Sequence, residues 1–208
     1  MQYLEAVGKS TCEIVIKRSR FIGTALGVAS EQEALDALYA VRKQYSDASH
    51  NCYAYCIGQN ANPIRYSDDG EPGGTAGIPI LEVVKKNNVT NLLVVVTRYF
   101  GGTLLGASGL VRAYTQAAAQ CVAQIPRVRI ETRAVCEIRI SYPVWARLEE
   151  TLKLAGALFE HIDYADTVQV CIHAAPQDMP GIVATVREAS SGCAQICDLG
   201  ATRVAVPV

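Results

Sequence analysis

Charge is scarce in this 208-residue chain: Asp, Glu, Lys and Arg make up 19% of it and nearly cancel, leaving a net charge of −1. Dividing near Ile125 changes little, with 11 Lys+Arg against 10 Asp+Glu before it and 8 against 10 after it. A dedicated nucleic-acid binder carries a strong basic excess, so any such binding must come from a local patch. Apolar runs long enough to cross a bilayer are missing, and the N-terminal MQYLEAVGKSTCEIVIKRSRF has no apolar core of signal-peptide length. A cytoplasmic protein with no membrane partner is expected. CxxC is absent, and the eight cysteines stand singly or four apart, which favours small reduced thiols over disulfides or structural zinc. HExxH, GxSxG, GxGxxG and the Lys-Ser/Thr of a P-loop are missing too. No catalytic residue, metal or cofactor is assigned.

Half of the residues are hydrophobic, a globular composition. CEIVIK (Cys12–Lys17) and FIGTALGV (Phe21–Val28) read as strands around a KRSR turn. Ser30 with Glu33 three later makes a capping box for a helix whose apolar face holds Ala34, Leu35, Leu38 and Val41. NCYAYCIG reads as a strand, QNANPIRYSDDGEPGG as a loop, and TAGIPILEVVKKNN as a helix with Pro79 in its first turn. NLLVVVTRYF is a continuous apolar run, as expected of a strand covered on both faces in a mixed sheet. An alanine-rich helix follows and stops at Pro126. Thereafter the pattern reads β-α-β-β-α-β, the order of a ferredoxin-like sandwich. Domains are therefore expected over 1–124 and 127–208, an α+β chain.

Two glycine-rich strand-to-helix turns stand out: GEPGGTAG (Gly70–Gly77, with Gly73 and Gly74) and GGTLLGASG (Gly101–Gly109, with Gly101, Gly102 and Gly106). Free N–H groups and the helix dipole make such turns candidates for anion binding, and Arg98 and Tyr99 just before the second could add donors. Glycines also serve tight turns and close packing, and neither turn matches a nucleotide-binding pattern. SDDGEP places Asp68, Asp69 and Glu71 together, either as an ordinary polar turn or as a polar site with His50 at the start of a nearby strand. Arg127, Arg129, Arg133 and Arg139 alternate along the first strand of the second domain and, diluted by Glu131 and Glu137, suggest a solvated face or a weak RNA-facing sheet.

KRSRFIG, DASHNCYAYCIG, RYSDDGEPGGTAGIPIL and VVVTRYFGGTLLGASGLVRAY together resemble the YigZ/Impact family, densely from Cys12 to about Ala123. The remainder looks like the C-terminal domain of bacterial YigZ-type members. The resemblance implies an N-terminal α/β two-layer domain similar to one in ribosomal proteins and elongation factor G, with a left-handed βαβ crossover, and a C-terminal ferredoxin-like βαββαβ domain. It also implies a non-catalytic, translation-associated protein that contacts structured RNA, the ribosome or a translation factor through its N-terminal domain. One alternative is a protein–protein adaptor in translational or stress control, with SDDGEP as an acidic docking edge. Another is a magnesium-dependent enzyme on a small phosphorylated substrate, with Gly101 and Gly102 as N–H donors and Asp69 or Glu71 holding the ion.

Overall fold

From residue 2 to residue 208, the span described by the computed structural model, the chain begins with β1 (Gln2–Ala6), β2 (Lys9–Ile16), β3 (Ser19–Gly27), α1 (Glu31–Gln44), β4 (His50–Cys56) and β5 (Ile64–Ser67). It continues through α2 (Gly77–Lys86), β6 (Val89–Thr90), β7 (Leu92–Tyr99) and α3 (Ala107–Gln124). Strands β2-β3-β7-β4-β5 form one sheet in which every neighbouring pair is antiparallel. The mixed sheet read from the apolar run is therefore corrected. Strands β3 and β4 run parallel, but β7 lies between them. Short β1 and β6 pair in parallel outside this sheet.

Burial on both sides explains the composition of β7. Leu92, Val94 and Val96 pack in the core with Ile80 and Val84 of α2 and Tyr114, Ala117 and Cys121 of α3. Leu93 and Val95 point into a second core with Ala34, Leu38 and Val41 of α1. Helix α1 thus adds a third layer to the two expected. It starts as its sequence dictates: the Glu33 N–H donates to Ser30 Oγ at 3.2 Å, and the Ala29 N–H donates to the Glu33 carboxylate at 2.7 Å. The segment read as one long loop contains β5, an edge strand paired from Tyr53↔Ser67 to Cys56↔Ile64.

The rest of the chain forms β8 (Arg127–Ile140), α4 (Tyr142–Leu154), β9 (Leu158–Tyr164), β10 (Val168–Ala174), α5 (Met179–Ala189) and β11 (Gln195–Pro207). The strand order β11-β8-β10-β9 is that of a ferredoxin-like sheet. Its core sets Ile138, Val170 and Ile172 against Trp145, Leu148 and Leu152 of α4 and Ile182 and Val186 of α5. The chain divides into compact units within β8, at Arg129–Ile130.

Candidate functional site

The acidic loop is built by its own hydrogen bonds. Helix α2 begins at Ala76 with no capping side chain of its own. Asp68 supplies the cap from a distance: Oδ1 accepts from the N–H groups of Ala76 (2.9 Å) and Gly77 (2.8 Å), and Oδ2 from that of Gly74 (2.9 Å). Burial works against the Asp68 charge, but these three donors outweigh it and hold the carboxyl below its ordinary value. Gly77 is obligatory, since a Cβ there would lie 2.8 Å from the Ser67 carbonyl carbon. The first glycine turn is therefore an anion site already occupied by the chain's own carboxylate. Gly73 is exposed and takes no part in this cap.

Asp69 ties the loop to the sheet. Its carboxylate accepts from Arg42 of α1 and from the Asn51 N–H, each at 2.7 Å. Its carbonyl accepts from His50 Nδ1 at 2.8 Å, a bond that requires the proton on that nitrogen. The Thr97 hydroxyl fixes Asn51 in turn, donating to Oδ1 at 2.7 Å.

Glu71 is the centre. Its Oε1 accepts from Arg98 Nη1 at 2.6 Å and from the Tyr114 hydroxyl at 2.7 Å. Glu71 is 8% exposed and Arg98 5%, so a full ion pair lies in the interior. His50 Nε2 stands 3.9 Å from the same oxygen. The Arg98 guanidinium lies over the Phe21 and Phe100 rings, at 5.6 and 5.5 Å from their centroids. The Cys52 thiol is 3.0 Å from the Asp68 carbonyl and 3.4 Å from the Tyr114 hydroxyl. Burial pushes that thiol up to about 12, and burial, with the neighbouring Cys52 and Glu71, pushes Tyr114 far above its ordinary value. Both stay protonated as donors, so Cys52 is no nucleophile at neutral pH.

The structure brings His50, Asp68, Asp69, Glu71 and Arg98 into one hydrogen-bonded network. Glu71 and Arg98 are buried, whereas His50, Asp68 and Asp69 are half-buried. Arg98 is an internal strut, bonded to Glu71 within the interior. Tyr114, Cys52, Arg42, Asn51 and Thr97 were not anticipated. A tyrosine on the buried face of an alanine-rich helix is a legible signal, because a buried hydroxyl needs a partner.

The second glycine turn faces outward. Gly102 and Gly106 adopt left-handed φ values of 77° and 72°, and Gly102, Thr103, Gly106 and Ser108 are exposed. Leu104 is 83% exposed. Helix α3 starts at Gly106 with no capping side chain and no acid in its first turn. The Gly101 N–H donates to Ser19 Oγ at 3.2 Å, while Tyr99 turns its hydroxyl to Asp47 at 2.8 Å. Gly101 packs directly on the β2–β3 turn, where a Cβ would come 2.0 Å from the Arg18 carbonyl carbon. The tip of that turn is Lys17–Arg18, both exposed and both at left-handed φ, 45° and 68°. Of the arginine row, Arg127 and Arg129 fall in the first unit, where Arg127 donates to the Val122 carbonyl at 2.8 Å; in the second, Arg133 donates to Glu131 and Arg139 to Gln169.

Against known proteins, the Impact N-terminal domain matches residues 17–122, which include the whole network and both glycine turns. IMPACT family member YvyE of Bacillus subtilis (strain 168) is 41% identical over 157 residues, 76% of this chain and 72% of the relative. IMPACT family member YigZ of Escherichia coli (strain K12) is 36% identical over 152 residues, 72% of this chain and 74% of the relative. A crystal structure of a hypothetical protein matches with a TM-score of 0.62 and 28% identity, covering 95% of this chain and 97% of the other. The chain belongs to the IMPACT family, its N-terminal unit being an Impact N-terminal domain.

Proposed function

We propose that the chain is a translation-associated binding protein that contacts structured RNA through the face made by the Lys17–Arg18 turn, the 101–106 glycine turn and the start of α3. Membership in the IMPACT family supports a role related to translational regulation in general. The observation that carries the finer reading is the turn tip. A two-residue hairpin turn with both φ values positive favours Asn-Gly, and each ordinary residue there costs roughly 1–2 kcal/mol. Two cations held at that cost, beside an uncapped helix N-terminus and the exposed Phe100 ring, suit a phosphate backbone and a stacked base. Arg112, exposed on α3, adds charge on the same helix.

The test is cosedimentation of the pure protein with ribosomes and with ribosome-free structured RNA, at low and at physiological salt. Lys17→Asn/Arg18→Gly replaces both cations by the residues the turn prefers. It is expected to raise the melting temperature while weakening sedimentation with RNA, an outcome that unfolding cannot mimic. Unchanged binding in this variant would refute the assigned face.

A second reading has one observation in its favour. Ile78, Pro79, Val83 and Val111 line an apolar groove between α2 and α3, with Lys86 and a Glu82–Lys85 pair on its border. This suits an acidic amphipathic segment of a protein partner. Recovery of a protein, and no RNA, by crosslinking would favour the adaptor over the RNA binder.

A further inference from the structure

The second unit contains a group of side chains that neither the network nor the RNA-facing turn uses. Among the described residues, Glu160, Cys171 and His173 form one group of three metal-ligating donors within reach of a single ion. Cys171 and His173 are two apart on β10 and share the sheet face opposite the core, since Val170, Ile172 and Ala174 point inward. Glu160 joins them through a β-bulge. The β9–β10 register passes from Cys171↔His161 to Ile172↔Phe159 and leaves Glu160 as the extra residue. Phe159 packs with the core while the Glu160 carboxylate reaches His173. Bulges re-aim side chains in this way.

We propose that Glu160, Cys171 and His173 bind a divalent transition-metal ion, with zinc the best chemical match. One sulfur, one imidazole nitrogen and one carboxylate oxygen are a borderline-soft donor set that suits zinc better than magnesium or calcium. The thiol sulfur is 3.8 Å from both His173 Nε2 and Glu160 Oε2, which are 2.6 Å from each other. Donors around tetrahedral zinc stand about 3.4–3.6 Å apart, given its bond lengths. The ion therefore needs the His173–Glu160 hydrogen bond to open by roughly 0.8 Å. The Glu160 side chain, 66% exposed, is free to make that movement, while His173, 10% exposed, is held in place. Glu137 lies directly opposite Cys171 on β8. Burial, then Glu160, then Glu137 raise the thiol, a penalty that a bound cation would reverse on displacing the thiol proton. The triad itself opens on a cavity of about 610 Å³, lined also by Leu199, Thr202 and Arg203, which leaves room for a fourth ligand from solution. The CxxC and His-pair spacings of structural zinc sites do not reveal such a set, because one donor arrives from a bulge on another strand.

The experiment is titration of the reduced full-length protein with Co2+, followed by displacement with Zn2+. A thiolate ligand gives a charge-transfer band in the near ultraviolet, and tetrahedral coordination gives strong visible bands. Both are expected at one equivalent per chain in the wild type. They should persist in Cys193→Ser/Cys197→Ser, which removes the two exposed cysteines. The charge-transfer band should vanish in Cys171→Ser. Glu160→Gln, at an exposed position that leaves folding intact, should bind Co2+ at least about tenfold more weakly, no less than the loss of an outer-shell partner. A charge-transfer band that survives in Cys171→Ser, or none in the folded wild type, would overturn the proposal.

Discussion

Glu71 and Arg98 illustrate why a buried ion pair is costly to break yet weak evidence of net stabilisation. Each charge has left water, and the remaining donors at the site, above all Tyr114, are there to satisfy the carboxylate. Removing one partner strands the other. Glu71→Ala is expected to cost about 3–5 kcal/mol in urea unfolding, and Glu71→Ala/Arg98→Met to recover part of the loss. An additive double mutant would mean that the two side chains do not interact. Asp68 behaves differently, because its partners are backbone donors and its titration lies in the acid range. Its carboxyl is depressed in the folded chain relative to the ordinary 3.8. The unfolded chain therefore binds more protons in the window below that value, and stability rises with pH there. The contribution is complete above the unfolded value and lost as pH falls through the lower folded one. As pH falls through 3.8 and below, the melting temperature of Asp68→Asn should fall less steeply than that of the wild type. Parallel curves would show that the cap carries no charge-dependent stability.

At the scale of elements, the two glycine turns have opposite fates. The first is folded around Asp68, which takes the N–H groups of Gly74, Ala76 and Gly77. The second leaves Gly102 and Gly106 exposed and packs Gly101 against the Lys17–Arg18 turn. Alanine at Gly102 meets open space and only the left-handed φ penalty, about 1 kcal/mol. Alanine at Gly101 must also push the β2–β3 turn away, so Gly101→Ala should destabilise the chain more than Gly102→Ala and weaken RNA sedimentation along with it. Equal effects on stability would mean that the two turns are not in register. Much at this scale was legible. The capping box at Ser30, the alanine-rich α3 and the βαββαβ order follow from local pattern, because caps and hydrophobic periods are decided within a few residues. Strand β5 was not legible, because four residues of an edge strand owe their identity to pairing with β4.

For the whole molecule, a net charge of −1 limits what RNA binding can be. The long-range field of the chain does not favour a polyanion, so the proposed face must act through its own few cations. With Lys17, Arg18 and Arg112 each neutralising a phosphate, the logarithm of the binding constant should fall with log salt at a slope of about −2 to −3, and by about one unit less steeply for each cation removed. A slope near zero would exclude this face as an RNA contact.

Local pattern carries the five helices and every strand except β1, β5 and β6, together with the family and the set of polar residues that accompany the glycines. Those features rest on local hydrogen bonding, on periodicity and on ordered motifs, all of which a linear string carries. The tertiary structure alone decided which way the set faces. The β4–β7 register puts His50 opposite Arg98, and α3 crosses the same core so that Tyr114, 43 residues after Glu71, closes on its carboxylate. Whether an arginine next to a glycine turn meets solvent or a buried acid depends on what packs above it, and that is a property of the assembled layers rather than of any segment.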